Sequence, residues 1–254
     1  MTIPRIYFPE KLRIGDRCKL RKEDLRYVKS VLRMRNKDRL LLFDGNGFEC
    51  EALIRHLTPR DVTVEIVKKE RLPEKAIHIT LFQALPKANK MDFIIQKATE
   101  LGVDTIIPFR AARSIPKLAP EAAVLKTLRW QKIAIEAARQ CGSSGVPEIR
   151  EILSLAEALR YAKGKALRII LWEEESKTAL RQVLRDKSRI KDFFIIIGPE
   201  GGLLREEVAM AVAEGFISVS LGRQILRVET AALAILSIIQ YEKGIFSGER
   251  GQAE

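Results

Sequence analysis

The chain has 254 residues, 46% hydrophobic and 31% charged. This is a globular composition that excludes a disordered or fibrous chain and leaves room for one large domain or two modest ones. Its 45 Lys and Arg against 33 Asp and Glu give a formal net charge of +12, which suits a phosphate-rich partner and is also compatible with a plain basic enzyme. Cys18, Cys50 and Cys141 are scattered, with only His56 and His78 to join them, so neither an ordinary zinc site nor a disulfide framework is expected. No signal-peptide core opens the chain and no apolar run has membrane-span length. The expectation is a reduced, cytoplasmic protein with no membrane association and no metal.

In chain order, Glu23 to Met34 predicts a helix with Leu25, Val28, Val31 and Leu32 on one face. Arg39–Phe43 predicts a strand, Asp44-Gly45-Asn46-Gly47 a hairpin turn, and Phe48–Leu57 the returning strand. Pro59-Arg60-Asp61 turns the chain into Val62–Val67, which alternates between inside and outside. These short elements predict a small β-barrel with one helix. Residues 1–72 hold 18 Lys and Arg against 11 Asp and Glu, a denser positive field than the rest of the chain. It reads as a docking module for nucleic acid, or as a solvated helix face bearing Arg26, Lys29, Arg33 and Arg35.

Leu72-Pro73-Glu74-Lys75 reads as a linker, separating residues 1–72 from residues 73–254. Strands are expected at His78–Leu85, Val103–Phe109, Leu167–Trp172, Phe193–Ile197 and Phe216–Leu221. Helices are expected at Asn89–Leu101, Glu121–Gln140, Glu206–Glu214 and Glu229–Tyr241. Alternating strands and helices, with near-continuous apolar strands, predict an α/β domain built on a mostly parallel sheet.

Four segments carry chemistry. In the first, an apolar strand enters Gly198-Pro199-Glu200-Gly201-Gly202 and then a helix, so backbone groups can approach a ligand closely. No Lys-Ser/Thr follows, so it is not a triphosphate loop, nor does it have the dinucleotide-fold spacing; a plain strand-to-helix turn also accounts for it. In the second, a strand ends at Leu221-Gly222, two arginines follow at Arg223 and Arg227, and Glu229 or Thr230 opens an alanine-rich helix. Such strand–loop–helix junctions are where open α/β sheets place ligands. The third runs from Gln83 through Pro86-Lys87 and Lys90 to Asp92, and on through helical Gln96-Lys97 to Gly102. The fourth is Arg113-Ser114, Lys117, Trp130 to Glu136, and Arg139-Gln140-Cys141-Gly142-Ser143-Ser144.

Taken in this order, the four segments closely resemble the RsmE family, which methylates N3 of a uridine in small-subunit (16S) ribosomal RNA. Arg5-Ile6-Tyr7-Phe8, Val31 to Asp38, and Leu42-Phe43-Asp44-Gly45 fit the same family, and the match covers nearly the whole chain. The resemblance implies a PUA-like RNA-binding barrel followed by a SPOUT methyltransferase domain with a deep C-terminal trefoil knot, a homodimer with the knot region at its interface, and S-adenosylmethionine as methyl donor. By the family motif the donor lies among three loops, contacted by Leu171, Glu173, Ile197, Gly198, Glu200, Gly201, Gly202, Leu221, Gly222, Ile225 and Leu226. A valine at Gly201 is therefore expected to intrude on the donor. This chain departs from the family at Arg223-Gln224, where Pro-Arg is usual, and at Tyr27, where histidine is frequent.

Uridine N3 becomes a nucleophile only when its proton leaves, so such an enzyme must position the base and stabilise negative charge on it. Arg227 and Arg139 are the candidates for uracil or phosphate contact, with Glu229 as proton acceptor, as orienter of Arg227, or simply as a helix N-terminal carboxylate. Arg5, Arg33, Arg35, Arg113, Ser114, Lys117, Arg139 and Gln140 are the candidate RNA contacts. Gln140, Ser143 and Ser144 can hydrogen-bond a flipped nucleotide, or equally cap the preceding helix. Two rival readings are a SPOUT enzyme acting elsewhere on RNA, such as a ribose 2′-hydroxyl, and a non-catalytic RNA-binding ribosome assembly factor.

Overall fold

The computed structural model describes residues 3–115, 118–187 and 189–246. The chain forms two compact units, Met1–Glu74 with Ala138–Val146, and Lys75–Ala137 with Pro147–Glu254. The first boundary falls inside the expected linker. The return of Ala138–Val146 to the first unit has no signature in the sequence.

In the first unit, β1 (Arg5–Tyr7), β2 (Arg17–Lys19), β3 (Arg39–Phe43), β4 (Phe48–Leu57) and β5 (Val62–Arg71) form one sheet in the order β1-β3-β4-β5-β2. β1 runs parallel to β3; the other pairings are antiparallel. Alternation along β4 and β5 buries Ala52, Ile54, Val62, Val64 and Ile66 in one core with Ile6 and Leu40, against which Cys18 packs. Both edge strands thus contribute to a single core, as a small barrel requires. The hairpin turn forms because Gly45 and Gly47 take φ of 81° and 91°. The Asp44 carboxylate accepts the N–H groups of Asn46 at 2.7 Å and Phe48 at 3.0 Å. Gly145 bridges to Gly45 and Asn46, and this pairing holds the 138–146 segment in the unit.

The single helix expected over Glu23 to Met34 is broken up. An α-helix, α1 (Lys22–Arg26), runs directly into a π-helical turn, Tyr27–Val31. Arg33, at φ 53°, then stops it in a left-handed conformation before Met34. The wider turn rotates the face inferred from 3.6-residue periodicity. Val28 stays fully buried with Leu25 and Leu32 against the core, whereas Val31 is turned out to 64% exposure.

The second unit runs β6 (His78–Ala84), α2 (Lys90–Glu100), β7 (Thr105–Arg110), α3 (Pro120–Cys141), β8 (Glu148–Ile149), β9 (Leu153–Ser154), α4 (Leu155–Leu159), β10 (Leu167–Leu171), α5 (Leu180–Asp186), β11 (Asp192–Ile197), α6 (Arg205–Ala213), β12 (Ile217–Val219) and α7 (Val228–Glu242). The α3 residues up to Ala137 belong here. The sheet is parallel, in the order β12-β10-β11-β6-β7-β8, with β9 also paired to β7. Ile169, Ile170, Phe193, Ile195 and Ile196 are buried, as expected for strands covered on both faces. β11 lies between β10 and β6, so the chain changes direction across the sheet at these strands. In register, Leu171 pairs with both Ile197 and Val219, so β10, β11 and β12 end side by side. Three loops therefore leave the sheet at one place. Crevices at the C-terminal ends of parallel strands, where strand order reverses, are the usual ligand sites of such sheets.

Candidate active site

The three loops enclose a cavity of about 430 Å³, within the range of small-molecule sites. It is lined by Leu171, Trp172 and Glu173 after β10, by Ile197 to Gly202 after β11, and by Val219 to Val228 with Ala231 after β12. Every donor-site residue expected from the sequence is on this wall. Arg227, the residue preceding α7, is there as well, with its side chain exposed at the helix start.

Each loop is locally braced. The Gly202 N–H donates to the Pro199 carbonyl at 2.9 Å, closing a tight turn with Gly202 at φ 73°. A Cβ on Gly202 would fall 1.8 Å from the Glu173 carboxylate oxygen, so only glycine lets the first two loops meet. Gly201 behaves differently from the expectation. A Cβ there would point at the Arg113 side chain, 3.1 Å away, so a valine would first press on Arg113 rather than on the donor space. In the third loop, Ser220 accepts the Gly222 N–H at 3.2 Å and donates to the Gly222 carbonyl at 3.0 Å. The buried indole N–H of Trp172 has no acceptor among the described residues, which leaves a donor in a wall residue of the cavity.

Arg113, a candidate RNA contact, has a partner within the site: its guanidinium donates to the Gly201 carbonyl at 2.8 Å and supports the glycine loop. Ser114 is used locally, its hydroxyl accepting the Ala111 N–H at 3.2 Å. Lys117 lies outside the described residues. Glu229 lies in the first turn of α7, as one of its expected roles has it, but with a partner the sequence does not name. Its carboxylate lies 3.2 Å from the ammonium of Lys90, which also sits 3.0 Å from Glu200. Sequence reasoning misses this partnership because 139 positions separate Lys90 from Glu229 in the chain. The lysine-rich Pro86 to Asp92 segment is its only signal. Burial opposes ionisation of Glu200, but hydrogen bonds from backbone N–H groups and from Lys90 outweigh it and hold its pKa below the ordinary carboxylate value. Lys90 is raised, first by Glu200 and then by Glu229.

The remaining candidates belong to the first unit. Arg33 and Arg35 are exposed. Arg5 is not: its side chain is 13% exposed, pairs with Glu49 at 2.5 Å, donates to the Ser143 carbonyl at 3.0 Å and lies over the Phe43 ring. It is committed to the unit's own fold rather than offered to RNA. Arg139 stacks over Tyr27 with 4.1 Å between guanidinium carbon and ring centroid, and Gln140 beside it is exposed. Beside it, Asp24 is raised, mainly by burial, with Arg21 and Arg139 acting in the opposite sense.

Among the described residues no helix is long and apolar enough to cross a membrane, and no group of three His, Cys, Asp or Glu side chains is placed to hold a metal ion.

Comparison with known proteins adds a family. Residues 73–240 match the model of an RNA methyltransferase domain, and residues 20–67 match that of an RNA methyltransferase PUA domain. The chain is 32% identical to the ribosomal RNA small subunit methyltransferase E of Bacillus subtilis, over 90% of this chain and 91% of the relative. A relative of the same description from Buchnera aphidicola is 33% identical over 96% and 95%. The crystal structure of a ribosomal RNA small subunit methyltransferase E from Neisseria gonorrhoeae, bound to S-adenosyl methionine, superposes with a TM-score of 0.86 at 32% identity, over 94% of this chain and 98% of that one.

Proposed function

This chain belongs to the ribosomal RNA small subunit methyltransferase E family, and from that premise we propose that it transfers a methyl group from S-adenosylmethionine to N3 of a uridine in small-subunit ribosomal RNA. The observation that carries this reading is the cavity bounded by three in-register strand ends, with the Gly202 turn on one wall and Arg227 on another. Its size and its exposed backbone groups fit the donor, whose polar ends can be met by the Gly198–Gly202 and Leu221–Leu226 backbones.

When bound, S-adenosylmethionine supplies an electrophilic methyl group. The chain's residues have two tasks: to hold the uracil with N3 facing that group, and to favour the anionic base once its N3 proton has passed to solvent water. Arg227 serves the second. A guanidinium at the cavity wall stabilises negative charge on the uracil oxygens as it develops, and a preorganised donor of this kind is worth about 3 kcal/mol in the transition state. Glu229, in the first turn of α7, is engaged by Lys90 and so serves the shape of the site. Arg113 likewise holds the glycine loop.

Residues 1–72, with Arg33 and Arg35 exposed, supply affinity for the RNA backbone, joined by the Arg139–Tyr27 stack and Gln140; residues 73–254 supply the methyltransferase domain. The same reading carries a deep trefoil knot in the C-terminal domain, a homodimer and a cytoplasmic location, since ribosomal RNA is the substrate. Titration of the purified protein with S-adenosylmethionine by calorimetry, followed by transfer of labelled methyl to small-subunit RNA, tests the proposal. Saturable donor binding with label in the RNA is expected. Absence of both leaves only an RNA-binding factor.

A further inference from the structure

Lys90 is the first residue of α2, where the helix dipole disfavours a positive charge. The preceding turn is unusual too, with Ala88 at φ 52° and no side-chain cap from Asn89. Two carboxylates compensate. Glu200 belongs to the glycine loop after β11, and accepts both the Lys87 backbone N–H, at 3.1 Å to each oxygen, and the Lys90 ammonium at 3.0 Å. Glu229 belongs to the first turn of α7, two residues beyond Arg227, and meets the same ammonium at 3.2 Å. The three side chains are 32%, 21% and 20% exposed, so solvent screens their interactions only in part.

Both carboxylates therefore come from elements that bound the cavity, and one ammonium joins them. We propose that Lys90 is a positioning residue for methyl transfer: by tying Glu200 to Glu229 it sets the distance between the glycine loop and the start of α7, and with it the placement of Arg227. This rests on the donor-site reading above. Without the ammonium, two carboxylates are left facing each other across the cavity's edge, and they push apart the two elements that must close on the donor and the base.

The test compares Lys90→Met, Lys90→Arg and the double variant Lys90→Met/Glu229→Gln with the wild type. For each, S-adenosylmethionine affinity by calorimetry, kcat and KM on small-subunit RNA, and the thermal midpoint are measured. Lys90→Met is expected to lose about tenfold in donor affinity and at least as much in kcat, in keeping with couplings typical of a charged network. KM for RNA and the midpoint should move little. Lys90→Arg should recover most of the loss. The double variant should bind donor better than Lys90→Met alone, because removing one carboxylate relieves the repulsion. A residue that merely stabilises the fold gives the opposite pattern: losses that follow the thermal midpoint, with the double variant worse than the single. That pattern, or a Lys90→Met protein with wild-type donor affinity and kcat, overturns the proposal. A wild-type protein that does not bind S-adenosylmethionine at all overturns the donor-site reading itself, and this inference with it.

Discussion

The two units use arginine in contrasting ways. In the second unit, Arg227 stands exposed at a cavity built from backbone and glycine, while Lys90 and Arg113 work from behind to hold the walls. In the first, the arginines divide into two kinds: Arg33 and Arg35 face solvent, while Arg5 is held within its own unit by Glu49 and the Ser143 carbonyl. Charge density alone therefore does not identify a contact. Two arginines in one basic unit can have opposite surroundings, one enclosed against a carboxylate and the other facing solvent.

The largest expected effect tests the second unit. Arg227→Ala should lower single-turnover methylation by about a hundredfold or more, roughly 3 kcal/mol, because it removes a charge interaction that strengthens as N3 loses its proton. Donor affinity should shift far less, since a cationic sulfonium gains nothing from a nearby arginine, and raising the pH should partly restore turnover by deprotonating the free base. Equal losses of donor binding and turnover, with no recovery at high pH, would reduce Arg227 to a pocket-shaping residue.

The next effect separates neighbouring glycines. Gly202→Ala must accept a φ of 73° and displace the Glu173 carboxylate, where its Cβ would lie at 1.8 Å. Left-handed strain alone costs about 1–2 kcal/mol, so donor affinity measured by calorimetry should fall by at least about tenfold. Gly201→Ala, whose Cβ meets only Arg113, at 3.1 Å from its side chain, should cost clearly less. Equal losses at the two positions would contradict the described loop.

Arg5→Met turns the comparison to the first unit. It leaves Glu49, 13% exposed, without its cation, and should destabilise the protein by about 2 kcal/mol in denaturant unfolding. Any loss of RNA affinity should follow that destabilisation. The smallest effects belong to Arg33→Ala and Arg35→Ala, each expected to lower the salt dependence of RNA binding by about one in log–log slope while donor affinity stays unchanged. A salt slope that responds to Arg5→Met but not to these two would reverse the assignment within the first unit.

Much of the second unit is legible in the amino-acid sequence. The near-continuous apolar runs Leu167–Trp172 and Phe193–Ile197 identify parallel strands covered on both faces, and β10 and β11 form there. The loops that follow them can be named from glycine and from position. The π-helical turn at Tyr27–Val31 is not legible, since a one-residue widening leaves the hydrophobic pattern nearly helical and only the exposure of Val31 betrays it. Nor are the partners of charged residues. That Lys90 meets Glu200 and Glu229, and that Arg5 meets Glu49 and Ser143, depends on long-range packing that local periodicity does not encode. The return of Ala138–Val146 to the first unit is of the same kind, resting on the pairing of Gly145 with Gly45 and Asn46.

The central claim, methyl transfer to uridine N3, is tested most directly by mass mapping of modified nucleosides. Unmodified small-subunit ribosomal RNA is incubated with the full chain and S-adenosylmethionine, digested and analysed. A single product, 3-methyluridine, formed by the wild type and greatly reduced with Arg227→Ala, is the result expected. A 2′-O-methylated nucleoside, or RNA bound but left unmodified, would contradict the account.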